Sequence, residues 1–304
     1  MHNVYEQQDS NKRRSAIVMV LFVVFITLVA WIFSQILGYG PGVMGMALIL
    51  AGIFSFSGYW WGDKIILTIS GARPASKKED FNFFTVAENL AMASQMPLPE
   101  LYVINDSAPN AFATGRDPKH AVICATKGLL AKLDRTELEG VISHELSHVR
   151  NYDTRLMSLV TILVGMVTLL ADWFLRGARF SDENRDKGNL GAILLVVGIV
   201  SALLSPLIAQ LIQLAISRRR EFLADSSAVL LTKYPEGLAR ALEKISADKE
   251  PLEAANKATA HLYIVNPLKG QKLVGMFANL FNTHPPIEER IAAFERLGLR
   301  RDEG

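Results

Sequence analysis

The 304-residue sequence holds a single cysteine, Cys124. No intrachain disulfide can form, which excludes a disulfide-stapled secreted scaffold. Cys124 sits in the apolar run AVICA, where a small buried residue is expected. Net charge is scarce too. The 32 basic and 30 acidic residues leave +2, so composition gives no electrostatic basis for a nucleic-acid partner. Internal repeats, low-complexity tracts and a charged tail are missing. The first apolar stretch lacks the short hydrophobic region and small-residue cleavage site of a secretory signal, and reads as a retained anchor.

What the sequence has in quantity is uninterrupted apolar chain. Residues 15–37 run without a charge for the length a helix needs to cross the hydrocarbon core. A second run, 42–61, ends in Tyr59, Trp60 and Trp61, which favour the membrane interface. A third covers 156–175 and a fourth 190–216, with Pro206 as a kink point. Four crossings put Lys12 to Arg14, then Lys64, Arg73, Lys77 and Lys78, then Arg218 to Arg220 on one side, the cytoplasm. The loop at 176–189 brings four basic residues to the other side. The second pair is therefore read as a transmembrane or membrane-associated hairpin. The resulting expectation is a multi-pass cell-membrane protein: an N-terminal transmembrane hairpin at 15–62, a first catalytic portion at 63–155, a second hairpin at 156–216 and a second catalytic portion at 217–304. The partner implied by the apolar runs is the lipid bilayer.

The polar portions predict an α+β, mainly α arrangement. Phe83, Val86, Leu90 and Ala93 keep helical spacing up to the break at PLPE. LYVIND at 101–106, NAFATG at 110–115 and HAVICAT at 120–126 read as extended chain, which makes a small sheet. Asp134 with Glu137 forms a capping-box signal for the next helix. Further helices are expected at 218–232, 235–247 and 286–297.

The capped helix carries HELSH, so His144 and His148 project from one face, one turn apart. H-E-x-x-H on a helix lets two imidazoles reach one tetrahedral ion while the glutamate is aimed at a metal-bound water. Spacing alone also allows a helix with two surface histidines. A catalytic zinc needs a third donor, and EFLAD supplies Glu221 with Asp225 one turn later, suited to accept the second ring N–H of a ligating histidine. The pair also reads as exposed acids balancing Arg218 to Arg220. Asp153 reads as a helix end or a partner of Arg155. His2, His120 and His261 have no partner spacing.

HELSHVRNYD, EFLAD, NAFATG and THPPIEERI, together with four apolar spans, resemble the HtpX-type membrane zinc metalloproteases, relatives of the CAAX prenyl endopeptidases. The resemblance spans nearly the whole chain. It implies a zincin-like (gluzincin) catalytic domain with one Zn2+ per chain, ligated by His144, His148 and Glu221. It implies Glu145 as general base for a zinc-activated water that attacks a peptide carbonyl. Asp225 would support a ligand histidine, Asn110 and Ala111 would hold an extended substrate by strand addition, and His284 would help stabilise the oxyanion. The implied task is cleavage of misfolded or damaged membrane proteins at the cytoplasmic face. Selective processing of particular peptide or lipidated substrates, and a non-enzymatic membrane scaffold, are the alternatives.

Overall fold

The computed structural model describes residues 4–37, 40, 42–180, 218–248, 250–254, 259–265 and 285–299. The fourth apolar run and His284 lie outside the described residues, and so does most of the loop before that run. Two long helices open the chain: α1 (Val4–Leu37) and α2 (Gly42–Ile69). Among the described residues, two helical stretches are long and apolar enough to cross a membrane, Gln8–Trp31 and Met44–Ile69. Only 17% of each is buried, which separates them from the core helices of a water-soluble domain. Val20, Val24, Met46, Ile49, Ile53 and Phe56 all face outward. Apolar surface of that extent is stable only against lipid or another apolar partner. At Trp61 the backbone leaves the helical region, at φ −126° and ψ 16°, and the kink falls where the second apolar run ends.

A four-stranded sheet follows: β1 (Ala72–Pro74), β2 (Glu100–Ile104), β3 (Ala111–Gly115) and β4 (Ala121–Thr126), in the order β1-β2-β4-β3. The β2–β4 pair is parallel and the other two are antiparallel, so the sheet is mixed and β3 is an edge. β1 has no sequence signature because three residues are too few for alternation to register. Helix α3 (Phe81–Ala93) lies between β1 and β2 in sequence, and α4 (Lys127–Lys132) follows β4.

Helix α5 (Arg135–Arg150) carries the histidines. Its start is set by local chemistry: Asp134 accepts from the Glu137 amide, and Glu137 accepts from the Asp134 amide, both at 2.9 Å. Nearly all of α5 is buried, including both histidines. After a two-residue turn, α6 (Asp153–Phe180) begins. Then come α7 (Arg218–Thr232), α8 (Pro235–Ala247) and, at the end of the chain, α9 (Ile287–Leu299). Pro235 opens α8, where its missing amide costs nothing. Gly140 permits α8 to cross α5 closely: a Cβ there would meet the Leu238 amide nitrogen at 2.7 Å.

Two apolar clusters result. Val18 and Phe22 of α1, Ile66 of α2, and Leu156, Leu159, Val160 and Leu163 of α6 form one, together with Tyr263. Val141, Ile142, Leu146 and Val149 of α5, Phe83 and Val86 of α3, Ala228 of α7 and Leu238 of α8 form the other. The buried apolar residues of α5, from Leu138 to Val149, all belong to the second cluster.

Candidate metal centre

The polar groups of α5 gather at its C-terminal half, against α7. One ligand atom each from His144, His148 and Glu221 lies within 4.8 Å of the others, and all three residues are buried. His144 Nε2 stands 3.2 Å from His148 Nε2. Glu221 Oε2 is 3.8 Å from His144 Nε2, and its Oε1 is 3.5 Å from His148 Nε2. Two nitrogens bound to one tetrahedral zinc at 2.0–2.1 Å would be about 3.3 Å apart. The spacing of the three donors fits such an ion.

The far side of each ring explains why these atoms point together. His144 Nδ1 faces Asp225 Oδ1 at 2.9 Å, and His148 Nδ1 faces Asp153 Oδ2 at 3.1 Å. A carboxylate only accepts, so each Nδ1 is the donor and each Nε2 is left with its lone pair toward the other. Two lone pairs 3.2 Å apart require a proton or a metal ion between them. The donor set, two imidazoles and a carboxylate, is one that catalytic zinc takes. The surrounding charge acts in the same direction. Burial opposes a charge on His148, but the bond to Asp153, with Glu221, Asp153 and Glu145 nearby, raises its pKa to about 9. Glu145 is buried beside these groups and acts on both His148 and Arg290.

Arg290 of α9 was not singled out by the sequence reading. Its Nη2 donates to Asp225 Oδ1 at 2.6 Å and its Nε to Oδ2 at 2.9 Å, a two-pronged ion pair of fully buried groups. Burial by itself would raise the Asp225 pKa, yet Arg290 and His144 hold the carboxyl below its ordinary range. The signal that could have found Arg290 is its place in THPPIEERI, four residues after Pro286 and next to the exposed Glu288 and Glu289.

Asp153 requires a correction. It neither ends the histidine helix nor partners Arg155; it opens α6 and supports His148. Arg155 instead donates to the Arg116 carbonyl and stacks over Tyr59 and Tyr152. Arg220, read with Arg218 and Arg219 as one basic group, is buried with its Nε 3.6 Å from Asp153 Oδ1, while Arg218 and Arg219 are exposed. Glu221 and Asp225 are buried as well, so they are not exposed acids balancing this cluster.

Ala111 starts the edge strand β3 and Asn110 immediately precedes it, but their polar groups meet the chain itself. Asn110 Nδ2 donates to Val265 O at 2.9 Å, Val265 N donates to Asn110 Oδ1 at 3.4 Å, and Ile264 N donates to Ala111 O at 3.0 Å. Residues 259–265 are buried, with Tyr263 edge-on to Phe112 at 5.1 Å. His261 packs in the interior 3.0 Å from Thr161 Oγ1, and His120 is exposed against Asp117. Cys124 is fully buried, and burial pushes its thiol pKa up.

Comparison with known proteins gives this geometry a family. The profile of peptidase family M48 matches residues 78–297, which include α5, α7 and Arg290. The Protease HtpX homolog of Dictyoglomus thermophilum is 45% identical over 296 residues, covering 97% of this chain and 95% of that protein. Those of Dictyoglomus turgidum and Lactobacillus helveticus are 42% and 41% identical, covering 97% of this chain and 95% and 100% of their own lengths. Among solved structures, the crystal structure of S. mikatae Ste24p is similar at 20% identity and a TM-score of 0.49, over 96% of this chain and 67% of that one. With the family profile covering most of the chain and these relatives nearly all of it, the chain belongs to peptidase family M48, among the membrane metalloproteases of the HtpX type.

Proposed function

We propose that this protease is a zinc endopeptidase in which His144, His148 and Glu221 hold the metal. The observation that carries the reading is the convergence of their three donor atoms, with both imidazole Nδ1 atoms turned away onto carboxylates. A bound zinc ion would supply Lewis acidity toward a peptide carbonyl and acidify water at this point. Glu145, beside His144, accepts the proton of the attacking water and returns it to the leaving amine. Asp225 and Asp153 hold the two rings in the tautomer that offers Nε2.

The substrate is assigned as extended protein segments of misfolded or damaged membrane proteins. Support comes from α1 and α2, which keep the site close to a bilayer. The exposed basic residues Arg13, Arg14, Lys77, Lys78, Arg218 and Arg219 favour the cytoplasmic side for that site. The 156–216 portion is assigned as the second membrane hairpin, and His284 as an oxyanion donor on the strength of the family motif. Asn110 and Ala111 bind a substrate strand only when Ile264 and Val265 give way, because those residues now use the same groups. The scaffold alternative would allow a missing ligand or base, and His144, His148, Glu221 and Glu145 are all present; among the described residues no feature favours selective processing of a particular peptide.

The test compares detergent-purified wild type with Glu145→Gln. Metal content is read by mass spectrometry and cleavage with an unfolded casein, with and without chelator. Both proteins should bind about one zinc ion per chain, and the variant should lose about 10²- to 10⁴-fold in rate. Undiminished cleavage by Glu145→Gln would overturn the mechanism.

A further inference from the structure

An anchor needs about 20 residues of helix, whereas α1 has 34, about 51 Å at 1.5 Å per residue. With residues 15–37 in the hydrocarbon, residues 4–14 continue as about three further turns. Those turns dock on the segment that follows the histidine helix. Gln8 Nε2 donates to Arg150 O at 2.9 Å, and Lys12 Nζ lies 4.6 Å above the Tyr152 ring. Asn11, at 1% exposure, donates through Nδ2 to Asn151 O at 2.8 Å and to Asp153 Oδ1 at 2.7 Å. The turn so held includes Tyr152 at φ +59°, a left-handed conformation that costs a non-glycine residue energy. The other oxygen of Asp153 is the one that faces His148 Nδ1.

We infer that Asn11 is a positioning residue for the metal centre: by pinning one oxygen of Asp153 it aims the other at His148. The first membrane helix is thereby a structural part of the site as well as its tether. A carboxylate held at one oxygen only by a ring could rotate with it. Held at the second oxygen by a buried amide that is itself fixed to Asn151, it cannot. Arg220 stands farther off, 3.6 Å from the same oxygen. This inference rests on the proposal that His148 binds the metal.

The full-length protein, stripped of metal in detergent, is titrated with zinc against a chromophoric chelator. Asp153→Ala should weaken zinc binding about 10- to 100-fold, as loss of a ligand's direct partner does. Asn11→Ala, one bond further out, should weaken it about 3- to 10-fold. Asn11→Asp keeps the shape and removes the donor, so it should weaken binding at least as much even if packing is intact. The double variant Asn11→Ala/Asp153→Ala should bind no more weakly than Asp153→Ala, since both act through one carboxylate. Lys12→Ala, which loosens the docking without touching Asp153, should leave affinity unchanged. Asn11 variants within about twofold of wild type while His148→Ala loses zinc would overturn the inference, as would multiplicative losses in the double variant. Wild-type affinity in His148→Ala would instead overturn the metal-ligand reading beneath it.

Discussion

The two histidines are held by arms of different construction. His144 leans on Asp225 of α7, and both oxygens of that carboxylate are locked by Arg290 of α9. His148 leans on Asp153 of α6, whose other oxygen takes a neutral amide from α1 and a more distant guanidinium from α7. The first arm is a closed ion pair between α7 and α9. In the second the guanidinium of Arg220 stands 3.6 Å from Asp153; burial opposes a charge on His148, but the bond to Asp153, with Glu221 and Glu145 nearby, raises it toward the charged form. The two carboxylates thus draw on opposite ends of the chain: Arg290 of α9 grips one, and Asn11 of α1 donates to the other.

The sharpest way to break this comparison is Arg290→Met. It removes the guanidinium that grips both oxygens of Asp225 and strands a buried carboxylate, so the protein should lose about 3–5 kcal/mol of stability by chemical denaturation. A loss below about 1 kcal/mol would mean that the pair is not an anchor. Next in size, Asp225→Asn and Asp153→Asn should each weaken zinc binding about 10- to 100-fold, or about 1.4–2.7 kcal/mol. Of the two, only Asp225→Asn should also lower apo-protein stability strongly, because it leaves Arg290 buried beside a neutral group. Equal stability loss in both would erase the distinction between the arms. The smallest effect is expected from Asp134→Ala at the far end of α5. Loss of the capping box should cost about 1 kcal/mol, visible as a lower Tm, with zinc affinity unchanged in either arm.

The difference between the arms is also a difference in legibility. Asp225 is one helical turn from Glu221, so a periodicity argument reaches it. Asp153 is only five residues from His148, yet its local signals describe a helix boundary and say nothing of a ring across the turn. Asn11 lies 142 positions from Asp153 and Arg290 65 positions from Asp225, and no spacing rule spans such intervals.

By itself the sequence determined the elements whose causes are local. Apolar runs long enough for a bilayer became α1 and α2, a capping box started α5, and turn residues bounded the strands β2, β3 and β4. It also presented two histidines on one helical face and two acids on another. Tertiary structure alone decided that β3 would be covered by Ile264 and Val265, that Arg220 would turn inward, and that α1 would reach the metal-site turn. The physical reason is range. Backbone preference and side-chain period act over a few residues, whereas a buried carboxylate is satisfied by whichever donor the folded chain carries back to it.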